Sequence, residues 1–276
     1  MVTFFALTAA VLAGTGDFLG GRATKKSSIF SVLAISHLLG LVIILAAAPL
    51  LADKFTAHDF FLGVFASSFG LVGLGLLYRG LAKGPMAVVA PVTAVACATL
   101  PVIWGLIFGE TLSERQLTGI LIGLVSIFLV SWSPPSKVKR VSRLILFEAV
   151  MAGFGFGAFF IVIEGTSETT APWPIVGSRV FSVLVLFLFA GLTKKNIKPA
   201  PGSSIEIIAA GFFDTLANVA MLAALNRGLL SLVSVLISFY PAVTVLLARI
   251  FLKEKMIRSQ IIGLLAGLFS ICLLAI

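Results

Sequence analysis

Residues 84–129 read GPMAVVAPVTAVACATLPVIWGLIFGETLSERQLTGILIGLVSIFL, and residues 228–273 repeat the pattern as GLLSLVSVLISFYPAVTVLLARIFLKEKMIRSQIIGLLAGLFSICL. The two stretches align without a gap at a constant offset of 144 residues. Identical pairs include Gly84 with Gly228, Glu110 with Glu254, Gln116 with Gln260 and Ser126 with Ser270. Each copy consists of two apolar runs joined by a short charged link. This internal duplication indicates that the chain has two equivalent halves.

The composition fixes the environment of these halves. Hydrophobic residues make up 59% of the chain and charged residues only 11%, which is too few to cover a soluble surface. The apolar runs are continuous rather than alternating, as expected for helices and not for a membrane β-barrel. Polar breaks separate ten runs of about the 20 residues that span a bilayer, near residues 3–21, 29–51, 59–78, 85–108, 116–132, 143–163, 173–192, 204–225, 229–251 and 259–276.

The basic residues of the links predict the topology. Of the 20 lysines and arginines, 15 fall in the odd-numbered links and three in the even-numbered ones. Because short cytoplasmic links are enriched in Lys and Arg, we expect the odd links in the cytoplasm and both termini outside, in a plasma (bacterial inner) membrane. Five spans per half invert the second half relative to the first. We therefore predict an all-α membrane protein of ten transmembrane helices in two inverted five-helix repeats, residues 1–133 and 143–276, joined by a cytoplasmic linker at 134–142.

Several chemistries find no support in the sequence. The only cysteines, Cys97 and Cys272, lie in apolar runs, and there is no phosphate-binding loop, dinucleotide motif or metal-ligand spacing. We expect no cofactor, no metal and no enzymatic activity. The net charge of +9 follows from the link pattern and does not predict nucleic-acid binding. The expected partners are a small-molecule substrate and membrane lipid, while the matched small-residue stripes leave monomer and homodimer equally open.

The duplicated stretch resembles a known family. The pattern G-x-x-x-x-V-x-P, followed by an apolar run and then G-E-x-L-x-x-x-Q-x-x-G-x-x-x-G, is carried by Gly84, Val89, Pro91, Gly109, Glu110, Leu112, Gln116, Gly119 and Gly123. This pattern resembles the EamA domain of the drug/metabolite transporter superfamily. The second copy departs from it with Val235 in place of Pro91 and Lys253 in place of Gly109. The stretch GTGDFLGG at 14–21 also resembles a subgroup of that family.

The resemblance implies two tandem domains that move small metabolites, with helices one, three, four, six, eight and nine around the site and helices five and ten at the periphery. Inverted repeats place substrate sites near the bilayer midplane and support alternating access. We predict a secondary active transporter, an exporter of small amphipathic metabolites such as amino acids, with the proton as candidate coupling ion. A non-transporting scaffold or sensor remains open, as does a uniporter or exchanger of sugars or nucleotide-like metabolites.

Polar residues at membrane depth are the candidate site. Asp214 lies near the middle of the eighth run with Asn218 on the same face, and a bare carboxylate there must be protonated, paired or in a wet cavity. The predicted substrate-binding residues are Asp214, Asn218, Thr93, Ser234, Ser238, Tyr240 and Phe156. The proton-coupling candidates are Asp214, Asp17, His37 and Glu164.

These candidates also have structural interpretations. Asp17 is close enough in sequence to Arg22 to form an ion pair with it at the membrane interface. His37 is equally interpretable as a neutral core residue or as a proton relay. Arg179 lies about six residues into the seventh run, and its long stem favours snorkelling to the outer interface over a place in the site.

Two prolines interrupt the helical hydrogen bonding in the middle of the membrane. Pro91 and Pro241 each lack the N–H that would bond the carbonyl of Ala87 or Ile237. In lipid such a carbonyl must find another partner. We predict gating kinks at Pro91 and Pro241 that open helices four and nine around a polar cavity, with a packed kink as the alternative.

Overall fold

The computed structural model describes residues 1–84, 86–131, 142–194, 196–252 and 257–274, which contain helices and no strand. A short 3-10 helix, Glu168–Thr170, lies between α6 and α7. The α-helices are α1 Val2–Ala23, α2 Ile29–Leu51, α3 Ala57–Lys83, α4 Met86–Ile107, α5 Glu114–Ser131, α6 Arg143–Glu164, α7 Trp173–Thr193, α8 Ser204–Leu225, α9 Leu230–Ile237, α10 Tyr240–Leu252 and α11 Arg258–Leu274. The linker at 134–142 and the link that holds Lys253 and Glu254 lie largely outside the described residues.

Seven helices of the described chain, α1 to α4 and α6 to α8, contain stretches long and apolar enough to cross a membrane. Two shorter apolar stretches, Leu230–Thr244 and Arg258–Leu274, follow them. The prediction of an all-helical integral membrane protein is confirmed. The outward surfaces agree with this environment, since large apolar side chains such as Phe61, Leu188 and Leu265 are exposed on them.

The predicted ninth run is not one helix. α9 ends at Ile237 and α10 begins at Tyr240, so Ser238 and Phe239 lie between two short helices. Pro241 is the second residue of α10, a position in the first helical turn where the missing N–H costs no hydrogen bond. The ninth run is thus interrupted at Ser238 and Phe239, directly before Pro241, and a gating role for this proline stays a prediction. Pro91, in contrast, lies inside the continuous helix α4.

The links sort onto two opposite faces of the helix bundle. On one face the first and seventh links meet through the hydroxyls of Ser27 and Ser203, 2.7 Å apart. Arg22 at the end of α1 forms an ion pair with Glu206 at the start of α8, with 2.8 Å between Nη2 and Oε1. On the other face the backbone N–H of Asp53 in the second link donates to the carbonyl oxygen of Thr169 in the sixth at 3.0 Å.

α5 and α11 pack side by side through matched residues. The Ser126 hydroxyl donates to the backbone oxygen of Gly263 at 2.6 Å, and the Ser270 hydroxyl donates to that of Gly119 at 2.7 Å. Both donors and both acceptors are related by the 144-residue offset. Small residues allow this contact, since a Cβ on Gly123 would lie 2.8 Å from the Ser270 hydroxyl oxygen. We call this contact the seam.

The other helices pack around the centre of the bundle. α1 packs mainly on α8, α3 on α6, and α2 on α7, while α4 contacts α6 and α9. Because α1 of the first half corresponds to α6 of the second, and α3 to α8, the α1–α8 contact and the α3–α6 contact are equivalent. This arrangement surrounds a central cavity, to which the seam contributes no residue.

Candidate functional site

The candidate site is a cavity of about 110 Å³ in the middle of the bundle. Its lining comes from α1 to α4, α6 to α9 and the first residue of α10. One part of the wall is aromatic and apolar, with Phe156, Phe159 and Phe160 from α6. The remainder carries the ionisable side chains Asp17, His37, Arg179 and Asp214, together with Asn218, Tyr240 and Cys97. A lining that combines charged and aromatic side chains is suited to an amphipathic solute.

The glycines of the GTGDFLGG stretch bring α1 against both sides of the cavity. A Cβ on Gly14 would overlap the backbone oxygen of Tyr240, and a Cβ on Gly16 would lie 3.3 Å from the backbone nitrogen of Asp214. α1 therefore fits between the break in the ninth span and the middle of α8. Asp17 follows directly and lines the cavity between them.

Arg179 and Asp214 form an ion pair in this cavity, with Nη2 of the guanidinium donating to Oδ2 of the carboxylate. Asn218, one turn further along α8, donates from Nδ2 to the Asp214 backbone oxygen at 2.7 Å and to Oδ1 at 3.3 Å. The Arg179 side chain is 5% exposed and that of Asp214 is 27% exposed. The arginine is thus enclosed by protein, and its partner is the member of the pair that faces open space.

His37 lies on the other side of the Arg179 guanidinium. Nη1 of Arg179 is 3.2 Å from Nδ1 and 3.3 Å from Nε2 of the imidazole. Because a guanidinium only donates, the histidine must act as the acceptor, which requires a neutral ring. Gly40, one turn further along α2, gives the arginine room, since a Cβ there would lie 3.2 Å from Nε.

The break between α9 and α10 adds two hydroxyls. Tyr240 lines the cavity, and Ser238 is fully buried beside it in sequence. The Ser238 hydroxyl lies beside the Cys97 thiol and outside the lining, whereas the Tyr240 hydroxyl oxygen is buried and has no hydrogen-bond partner among the described residues. Buried hydroxyls usually find a partner, so that of Tyr240 is available to a solute or to water.

The structure places six of the predicted residues around one cavity. These are Asp214, Asn218, Tyr240 and Phe156 of the substrate-binding set, and Asp17 and His37 of the proton-coupling set. Thr93 and Ser234 are buried and donate to the backbone oxygens of Ala149 and Leu230, at 3.0 and 2.6 Å. Glu164 is exposed at the C-terminal end of α6, outside the lining.

Arg179 is a cavity residue that the sequence interpretation did not include. It was expected to snorkel to the outer interface, but its side chain is enclosed and its guanidinium bonds Asp214. The signal was present, because an intramembrane charge usually has an intramembrane partner and Asp214 was the obvious one. A pair between Asp17 and Arg22 does not form either, since Arg22 bonds Glu206.

Glu110, one of the duplicated glutamates, has a structural place outside the cavity. Its Oε2 accepts a hydrogen bond from the backbone N–H of Ser231 at 3.2 Å, in the first turn of α9. A carboxylate there satisfies a free N–H and the positive end of the helix. The matched Glu254 lies outside the described residues.

Comparisons with known proteins agree with this architecture. A search among curated proteins gave no match. A crystal structure described only as that of a protein aligns with 99% of this chain and 95% of its own, with a TM-score of 0.79 at 17% sequence identity. At that identity the likeness establishes the fold alone.

The family assignment comes from the sequence itself. The profile of the EamA-like transporter family matches residues 1–132 and again residues 143–276, which leaves only ten residues between the two matches. The resemblance inferred from the duplicated stretch is thereby confirmed. This chain belongs to the EamA-like transporter family, a family of membrane transporters within the drug/metabolite transporter superfamily.

Proposed function

We propose that this protein is a secondary active transporter that exports small amphipathic metabolites bearing an ammonium group by alternating access. The observation that carries the proposal is the central cavity, whose lining combines ionisable side chains with the aromatic rings of Phe156, Phe159 and Phe160. An ammonium group can bind the carboxylate side, while an apolar body contacts the phenylalanines. Members of the family are transporters rather than enzymes.

We also propose that the chain forms ten spans in two inverted five-helix repeats, residues 1–133 and 143–276. Two observations support this. Ser126 and Ser270 exchange equivalent hydrogen bonds across the seam, as a two-fold relation between the repeats requires. In addition, two odd-numbered links contact each other on one face of the bundle, and two even-numbered links contact each other on the opposite face. Because the odd links hold most of the lysines and arginines, we place them in the cytoplasm of a bacterial inner membrane.

Labelling in intact cells tests this orientation. A cysteine introduced at Lys25 should resist a membrane-impermeant maleimide, whereas one introduced at Arg227 should react. The native Cys272, which is exposed in the structure, is first replaced by serine. Reaction at position 25 together with protection at position 227 would reverse the assignment.

The proton is the coupling ion that we propose, with Asp17 as its carrier. Asp214 and His37 are both engaged by the Arg179 guanidinium. Glu164 is outside the cavity. Asp17 is the remaining candidate, and among the described residues it has no ion-pair partner. A partly buried carboxylate without a cation can lower its burial cost by binding a proton.

Proteoliposomes with an imposed pH gradient test the function. Purified wild-type protein should concentrate a labelled amine against its gradient, and Asp17→Asn should remove that accumulation. Glu164→Gln is the matched control, an acidic residue of the same bundle outside the cavity, and it should behave as wild type. Absence of any solute movement across a panel of amines and amino acids would reject the transporter assignment in favour of a scaffold or sensor.

A further inference from the structure

The charges in the cavity do not balance. Arg179 is the only cation among the described lining residues, and Asp214 already neutralises it. His37 is an acceptor toward the same guanidinium and adds no charge. Asp17 is left as a carboxylate without a cationic partner in the described chain. A proton can occupy this carboxylate, and a solute that takes its place brings one positive charge.

The guanidinium is largely enclosed by protein groups as the cavity stands. Nη2 bonds Asp214, Nη1 faces His37, and Nε is buried against α2 and Thr215 with no hydrogen-bond partner among the described residues. Asp214 is the more exposed member of the pair, so an entering solute meets a carboxylate before it meets the arginine. A second carboxylate from the solute would be repelled there and would have to displace one that is attached to α8. An attached group competes at a high effective concentration.

We propose that Asp214 fills the carboxylate-binding position of Arg179, so that the cavity takes the ammonium group of a substrate at Asp17 and rejects a substrate carboxylate. The substrate class is then a primary amine with an apolar or aromatic body rather than a zwitterionic amino acid. Asp214 becomes the residue that sets this selectivity. The inference rests on the proposed function for its biological role, but the two tests measure ligand binding to the purified protein.

The first test needs no knowledge of the substrate. Asp214→Ala removes the internal carboxylate and leaves a space beside Arg179 that a small carboxylate can enter. Formate or acetate at 50–100 mM should then raise the unfolding temperature of detergent-solubilised Asp214→Ala by about 3 °C or more over chloride at equal ionic strength. Wild type should show no such difference, and neither should Asp214→Ala combined with Arg179→Met. An equal response of wild type and Asp214→Ala would overturn the proposal.

The second test compares two ligands with the same apolar body. Phenethylamine and phenylalanine differ by one carboxylate, and wild type should bind the amine at least about tenfold more tightly, which is about 1.4 kcal/mol. Asp214→Asn keeps the size of the side chain but not its charge, and should reduce that preference to about twofold or less. Asp17→Asn should weaken the binding of both ligands about tenfold or more. Wild type that prefers phenylalanine, or a preference unchanged in Asp214→Asn, would contradict the inference.

Each of the two tests can decide the proposal when the other cannot be carried out. If Asp214→Ala does not fold, the ligand ratio of Asp214→Asn decides, and if neither phenyl ligand binds, the formate response decides. Both are measured on purified protein without a membrane gradient. Failure of transport in proteoliposomes with intact binding selectivity would reject the proposed function and leave the selectivity standing.

Discussion

The seam and the central cavity are both formed by the two repeated halves of the chain, but the seam is more symmetric than the cavity. In the seam, Ser126 and Ser270 make equivalent bonds to Gly263 and Gly119. In the cavity the same 144-residue offset relates Asp214 to Gly70 and Asn218 to Leu74, and all four line the space. The framework is therefore symmetric in chemistry, whereas Asp214 and Asn218 have no polar counterparts at the matched positions of the cavity.

The difference has a physical basis. A helix contact through small residues costs little to repeat, because each half supplies the same groove and the same hydroxyl donor. A buried charge is costly unless it is paired. A carboxylate at position 70 to match Asp214 would need a second cation, and the described lining holds none besides Arg179. A solute without two-fold symmetry also needs only one such pair.

The largest effect is expected from breaking the ion pair of the cavity, which is the asymmetric region. Arg179→Met should cost about 3 kcal/mol or more of stability, because it leaves Asp214 in the cavity without its cation. Transport should be lost as well. Thermal unfolding in detergent measures the first effect and proteoliposome flux the second.

The control for this variant is the double substitution Arg179→Met with Asp214→Leu. It removes both charges and should regain most of the stability without regaining transport. If the single and double variants unfold at the same temperature, the ion pair contributes nothing to the folded state.

The comparison also explains what could be predicted from the sequence. The seam could be predicted because Gly119, Gly123 and Ser126 recur at a fixed offset. Such a repeat is visible in the sequence without knowledge of the packing. Asp17, His37 and Asp214 were identified because ionisable residues at membrane depth are rare. The family followed from the GE-x-L pattern.

The partners of these residues could not be predicted. Whether Arg179 reaches outward or inward depends on where α2 and α8 lie around it, and in particular on the space that Gly40 leaves. The break at Ser238 and Phe239 was missed for a related reason. A proline inside an apolar run is compatible with a kinked helix, as at Pro91, or with a new helix, as at Pro241, and packing decides between them.

A second prediction tests whether the matched contacts of the seam are equivalent. Gly123→Val and Gly267→Val should each destabilise the protein by about 1–3 kcal/mol, and by similar amounts, because each side chain would overpack the seam. The Cβ atoms alone would lie 2.8 Å from the Ser270 hydroxyl oxygen and 2.7 Å from that of Ser126. Gly191→Val is the control, since nothing lies within 4 Å of a Cβ there. A large difference between the two seam variants would show that the matched contacts are not equivalent.

A third prediction concerns Phe239, where the two regions meet. Its ring lies beside Gly267 in the seam, and it stands in the break next to Tyr240 of the cavity. Pro241→Ala permits a continuous helix across this break and should slow transport roughly tenfold in a folded protein. Pro91→Ala, in a helix that is already continuous, should have a smaller effect on the flux. Equal rates for wild type and Pro241→Ala would reduce this proline to a packing feature.

The smallest expected effect is the most direct test of the comparison. Ser126→Ala and Ser270→Ala each remove one interhelical hydrogen bond in the membrane, which is worth about 0.6 kcal/mol. Because the two bonds have the same geometry and separate acceptors, the losses should be equal and should add in the double variant. Unfolding temperatures should fall by about 1–2 °C for each serine. Transport should be unchanged, since neither side chain reaches the cavity. Unequal losses would mean that the two halves have diverged in the seam as they have in the cavity, and the contrast between a symmetric framework and an asymmetric site would then no longer hold.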